Sequence, residues 1–260
     1  MIGIGITPYT GQLSLQSQAL SVLRSFGSNA HAFVPGIGVV SGLIAGNYLD
    51  SAGVTSATVD NPIGLAKDPF GTINTTQTVT GNKPIERYAN GHYYAQFNGS
   101  TNYLSLSAVP FQATDDYAIV GSTLPTAAGT IYSQHASGTG LIKVSFDASG
   151  HLVATWEDDA GVTVTYTSTT AYLGTAIEFA VRKVGTAVTV WENNVLKYTG
   201  SVSTLGTVTL TAASIGATGM TPASFMTGNI YDLFPVKGTF SGSQLKTVNR
   251  YSGIFAGVSV

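Results

Sequence analysis

From about residue 92 onward, apolar and polar positions alternate in short runs broken by turn residues, the period-two signature of half-buried strands. The runs are 92–98, 102–106, 117–122, 129–134, 141–146, 151–157, 162–168, 176–183, 187–192, 195–199, 208–212, 214–216 and 228–234. Asp147-Ala148-Ser149-Gly150 and Asp158-Asp159-Ala160-Gly161 supply turns between them, and Asn193-Asn194 is a two-residue type I′ signal. So many short runs so closely spaced predict an antiparallel β-sandwich.

The first ninety residues alternate poorly. Leu13, Leu20, Leu23 and Phe26 fall near helical spacing with Gly27 as a C-cap, so 13–26 reads either as a short helix or as an irregular arm. Residues 30–46 (AHAFVPGIGVVSGLIAG) are apolar and uncharged, so Phe33, Val34, Ile37, Val39, Val40, Leu43 and Ile44 are expected to dock, most simply on a partner. Pro35 and several glycines break this stretch, so it is not read as a membrane span. Turn chemistry at Asp50–Gly53, Asp60–Gly64, Asp68–Gly71 and Gly81–Pro84 reads as an extended linker with one or two short strands. The expected organisation is a docking arm at 1–48, a linker at 49–91 and a β domain at 92–260, with the arm dispensable for folding of the rest. Near the C-terminus, Ser241 or Ser243 can cap a short helix carrying Leu245 and Val248, with Gly253 beyond its end.

Composition narrows the function classes. Only 9% of residues are charged, against roughly 25% in ordinary domains. The 11 basic and 13 acidic residues are scattered singly, so no basic patch exists for nucleic acid. Cysteine is absent, which removes disulfides and thiolate chemistry. The first basic residue is Arg24, so no secretory n-region is expected at the N-terminus.

Catalytic chemistry has little to work with. The four glutamates are Glu86, Glu157, Glu178 and Glu192, and Trp156-Glu157-Asp158-Asp159 lacks the second glutamate of a glycosidase pair. His31, His92, His135 and His151 have no zinc spacing. No enzyme is expected. Sugar recognition needs aromatic faces beside polar hydrogen-bonders, and Trp191, Trp156, Tyr166, Tyr132 and His135 are the candidates, although aromatics in alternating strands are usually core. Trp191 shares a face with Ala187 and Thr189, which reads as the exposed side.

Four blocks in order resemble the laminin-G-like, concanavalin A-type jelly roll of lectins and glucanases. They are Tyr94–Leu104 (YAQFNGSTNYL), Thr130–Gln134 through Leu152, Glu178–Lys183 to Asn193-Asn194-Val195-Leu196, and Ser214-Ile215-Gly216 to Met226–Leu233 followed by Gln244 and Leu245. The segment Leu49–Asp68 (LDSAGVTSATVDNPIGLAKD), continued by Pro84–Tyr103, is similar to a stretch found in tailed-bacteriophage structural proteins. The resemblance implies a non-enzymatic virion component made in the host cytoplasm. It would be a head or tail fibre, an adhesin-like appendage or a capsid decoration protein, held by its N-terminal arm on capsid, portal or tail proteins or on its own copies. A homo-oligomer is expected, with a host-surface glycan as a further partner. The alternative is a free-standing carbohydrate-binding lectin module. Some relatives in the resembled class bind calcium through loop carboxylates, which makes Asp115, Asp116, Asp158 and Asp159 the candidate ligands.

Overall fold

The computed structural model describes residues 10–35, 47–70, 73–202, 208–219 and 222–258. In chain order the elements are α1 (Thr10–Ser25), β1 (Asn47–Tyr48), β2 (Leu65–Ala66), β3 (Thr75–Thr76), β4 (Ile85–Ala89), β5 (His92–Asn98), β6 (Leu104–Leu106), β7 (Tyr117–Pro125), β8 (Gly129–His135), β9 (Leu141–Phe146), β10 (His151–Glu157), β11 (Thr163–Ala171), β12 (Ile177–Val184), β13 (Ala187–Glu192), β14 (Val195–Ser201), β15 (Ala212–Ile215), β16 (Thr227–Lys237) and α2 (Gly242–Ala256). They form an antiparallel jelly-roll sandwich. One sheet runs β1-β2-β3-β6-β15-β8-β9-β10-β11 and the other β14-β13-β12-β7-β16-β5-β4.

Alternation sorts the side chains of the seven-stranded sheet onto two faces, and both are buried. Tyr117 and Ile119 of β7, Phe179 and Val181 of β12 and Leu233 of β16 enter the core between the sheets, opposite Tyr132, Val144, Ala154 and Trp156. Ala118, Val120, Ala180, Trp191, Phe234 and Val236 face the other way and pack with Leu20 and Leu23 of α1 and Leu245, Val248 and Tyr251 of α2. A helical layer therefore covers the outside of this sheet.

Asn193 and Asn194 have φ of 47° and 61°, as the two-residue turn between β13 and β14 requires. Ser241 caps α2, accepting from the Gln244 N–H while the Gln244 side chain accepts from the Ser241 N–H, a reciprocal capping box. The helix passes through Gly253, expected as its end, and stops at Gly257 in the left-handed conformation. It continues because its last turn still has a surface to cover: Phe255 packs at 5.0 Å from Tyr251 against the second apolar cluster.

The N-terminal region is built into this body. Of the two readings of 13–26, the helix is the one that forms, and Gly27 ends it at φ 56°. Phe33 and Val34, expected on a docking arm, are buried within this chain, and Phe33 exchanges two 2.8 Å backbone hydrogen bonds with Leu233. The reason is an unpaired run of β16, which the arm edges. Ile37, Val39, Val40, Leu43 and Ile44 lie outside the described residues. Residues 49–91, read as a linker with one or two short strands, supply β2, β3 and β4, and Ile63, Leu65 and Ala66 are buried. Asp68 fastens the two segments by accepting from His31 Nδ1 at 2.7 Å, Ala32 N at 3.2 Å and Phe70 N at 3.0 Å.

Candidate functional site

The five side chains nominated for sugar contact are all interior. Trp156 is 1% exposed and donates from Nε1 to Tyr117 Oη at 2.8 Å. Tyr132 is fully buried, which pushes its phenol well above the usual range. His135 is buried under backbone, and desolvation lowers its pKa. Trp191, expected on an open face, is 8% exposed because the helices cover that face. Tyr166 donates to Glu192 Oε1 at 2.8 Å.

That last contact belongs to a polar knot. Glu192, 1% exposed, also accepts from Ser168 Oγ at 2.9 Å and Tyr172 Oη at 2.7 Å. It joins β13 of one sheet to the β11 edge of the other. Burial and this carboxylate push the Tyr172 phenol up to about 12.

The nominated calcium ligands are engaged by the protein. Asp115 accepts from Gln112 N at 2.8 Å and pairs with Lys237 at 2.9 Å. Asp116 accepts from the Thr239 hydroxyl and the Gly185 N–H, which hold its carboxyl below the usual range. Asp158 closes its own turn through Ala160 N and Val162 N, and the carbonyl of Asp159 accepts from Thr139. Among the described residues no three His, Asp or Glu side chains gather as they would around a metal.

Two carboxyls do have strongly shifted acidity. Burial raises Glu178 to about 8, aided by Asp232, and burial raises Asp232 to about 7 against hydrogen bonds from Ser252 and Ser122. Both are fully buried on the helix-covered face, so no substrate reaches them. Their consequence is thermodynamic. The unfolded chain releases these protons near 4.5 and 3.8, the folded chain near 8 and 7. The stability they contribute is complete below about pH 4, is lost progressively as pH rises, and is gone once pH has passed through the folded values of about 7 and 8. His135 acts oppositely, but only below its ordinary 6.5. The thermal midpoint is therefore expected to fall between pH 6.5 and 8, and Asp232→Asn to flatten that fall, as scanning calorimetry across the range would show.

The aromatic surface that does face solvent lies elsewhere. Among the described residues the exposed large aromatics are Tyr88 and Tyr93, at 51% and 38%. They are direct cross-strand partners in the β4–β5 hairpin, with ring centroids 4.6 Å apart. The hairpin closes through Asn90 and Gly91, both at positive φ (54° and 85°). On the opposite face of the hairpin, Arg87 donates from Nε to Gln96 Oε1 at 3.0 Å and pairs with Asp60. The hairpin thus offers two adjacent ring faces to solvent on one side, with the Arg87, Gln96 and Asp60 group on the other. A second concavity, about 470 Å³ between α1 and α2, is lined by Ser17, Gln18, Ser21, Val22, Ser243, Gln244 and Thr247 and offers neither a ring nor a charge. Residues 88–93 read Tyr-Ala-Asn-Gly-His-Tyr, and the two tyrosines placed symmetrically about Asn-Gly were the signal sequence reasoning passed over.

No protein-family model matches this sequence, and no curated protein matches it. Solved structures do. The binding domain of botulinum neurotoxin serotype G is 13% identical, with a TM-score of 0.57 over 72% of this chain and 48% of that one. Trypanosoma rangeli sialidase in complex with sialic acid is 12% identical, with a TM-score of 0.56 over 96% of this chain and 39% of that one. The CBM40 of Ruminococcus gnavus IT-sialidase bound to α2,3 sialyllactose is 15% identical, with a TM-score of 0.46 over 52% of this chain and 83% of that one. At these identities the likeness is one of fold alone, an antiparallel β-sandwich, and it rests on the first two of these structures.

Proposed function

We propose that this chain is a non-enzymatic, lectin-like module that binds glycan on its β4–β5 hairpin. The observation that carries the reading is the exposed Tyr88–Tyr93 pair, two ring faces left in water where every aromatic nominated from the sequence is buried. Sugar rings present C–H faces that stack on aromatic rings, and the two tyrosine hydroxyls can hydrogen-bond the hydroxyls around them. The fold of the solved neighbours is compatible with this use, although one fold serves many functions. No helix among the described residues is long and apolar enough to cross a membrane.

The test is direct. A glycan that binds the intact chain should bind Tyr88→Ala and Tyr93→Ala at least about tenfold more weakly, a loss of about 1.4 kcal/mol. Thermal stability should change little, since a cross-strand pair is worth about 0.2–1 kcal/mol. Unchanged affinity in both variants, measured by calorimetric titration, would remove the hairpin from the site.

The virion assignment is a second reading, favoured by the ordered resemblance of 49–68 and 84–103 to phage structural proteins. In it the same module sits on a particle as appendage or decoration. Mass spectrometry of purified particles from the source culture would decide it by the presence or absence of this chain.

A further inference from the structure

We infer that a small cleft on the outer face of the nine-stranded sheet, beside Lys143, is a binding subsite for a carboxylate-bearing sugar ring. It is separate from the tyrosine hairpin: its floor is the β8–β9 ladder and its wall the turn at 222–225. Thr130 lies opposite Ser145 and Ser133 opposite Lys143, so these four share the outward face. A bulge between Thr130 and Tyr132 keeps Thr130 outward while Tyr132, opposite Val144, stays in the core. The wall is fixed by Thr130 N donating to Ser224 O at 2.8 Å and by the paired Thr218–Ala223 backbone bonds. Gly129 is required beneath it, since a Cβ there would lie 2.3 Å from the Phe225 carbonyl oxygen. Ser224 holds φ 48°, a conformation a serine rarely adopts.

The chemistry of the lining selects the ligand. The cleft holds about 220 Å³ and is lined by Gly129, Thr130, Lys143, Ser145, Phe146 and Ser224 with Ala128 at its rim. The Lys143 ammonium has no ion pair or hydrogen-bond partner among the described residues, and no carboxylate lines the cleft. Glu157 is only its diagonal neighbour on β10, on the side away from Ser145. Thr130 is 1% exposed, and its hydroxyl has no partner. A buried hydroxyl without a partner costs about 1–3 kcal/mol; this one is enclosed in the floor of the cleft, and Ser145 and Ser224 line the cleft beside it. Around Lys143 the outward row reads Ser105, Ser214, Ser133, Lys143, Thr155, Thr165, one cation among hydroxyls.

One ammonium with hydroxyls that both donate and accept matches a single carboxylate beside sugar hydroxyls. The lining has no second cation and no nest of backbone N–H groups to match the double charge of a phosphate. The volume is below the roughly 300–1,000 Å³ of pockets for drug-sized ligands, so the cleft takes one ring. The identification of the ligand as a sugar rests on the glycan-binding reading; its negative charge rests on Lys143.

The experiment is a residue-resolved NMR titration of the full chain with glucuronate, galacturonate and N-acetylneuraminate, beside glucose, acetate and inorganic phosphate. Expected are saturable shifts at Thr130, Lys143, Ser145 and Ser224 with at least one acidic sugar and none with glucose. Lys143→Gln should weaken that binding at least tenfold, Lys143→Arg less, with the unfolding midpoint unchanged. Tyr88→Ala should leave the cleft response intact, which separates this site from the hairpin. Equal response to glucose, acetate or phosphate, no response at the cleft, or an undiminished response in Lys143→Gln would each overturn the inference.

Discussion

A chain beginning at residue 36 is expected to be unfolded or insoluble. Sequence alone suggests the reverse, because an uncharged apolar arm reads as a partner's ligand rather than as core. In the structure Leu20, Leu23, Phe33 and Val34 are all buried in this chain, with Ala19, Ala30 and Ala32 beside them. At about 1.5–3 kcal/mol for each large side chain, those four alone contribute on the order of 6–12 kcal/mol. That equals the whole stability of a typical domain, about 5–15 kcal/mol. Deletion also strips Phe234, Val236 and Phe240 of their cover and leaves Asp68 buried without His31 and Ala32 N. Circular dichroism and gel filtration of residues 36–260 check this. Cooperative melting at the intact chain's midpoint would show that the arm is an accessory after all.

The second large effect is expected from Glu192→Ala. The carboxylate accepts from Tyr166, Ser168 and Tyr172 at once, and the substitution strands three buried hydroxyls. Each unmade bond costs about 1–3 kcal/mol, partly relieved by turning toward solvent at the β11 edge, so the net loss is about 3–5 kcal/mol. For a chain of this size that lowers the melting midpoint on the order of 10 °C. Glu192→Gln keeps one acceptor oxygen and should fall in between. A midpoint in Glu192→Ala within a degree or two of the intact chain would mean that the knot does not hold the two sheets together at this edge.

How much of this was legible depends on whether the deciding contact is local. The strands 92–98, 141–146, 151–157 and 187–192 are bounded as the alternation and turn residues set them, because period-two burial and the Asn193-Asn194 turn act over a few residues. The cap at Ser241 was equally readable, since its partner Gln244 is three residues away. The aromatic site was not. Trp191 lies on the face its neighbours Ala187 and Thr189 indicate, but whether that face meets water is decided by α1 and α2, brought there by the topology. Phe33 went astray for the same reason, since its partner Leu233 is two hundred residues away. Lys143 is the one charged residue of LIKVSF, but nothing in that run marks a site, because the wall that makes a cleft of its surroundings comes from 222–225, about eighty residues away.

The measurement that tests the central claim most directly is a glycan array probed with the intact chain and with a Tyr88→Ala/Tyr93→Ala double variant, both first shown to melt alike. Selective binding by the intact chain that disappears in the double variant is the predicted result. No glycan bound by the intact chain, or the same pattern from both proteins, would contradict the reading of the β4–β5 hairpin as a sugar-binding platform.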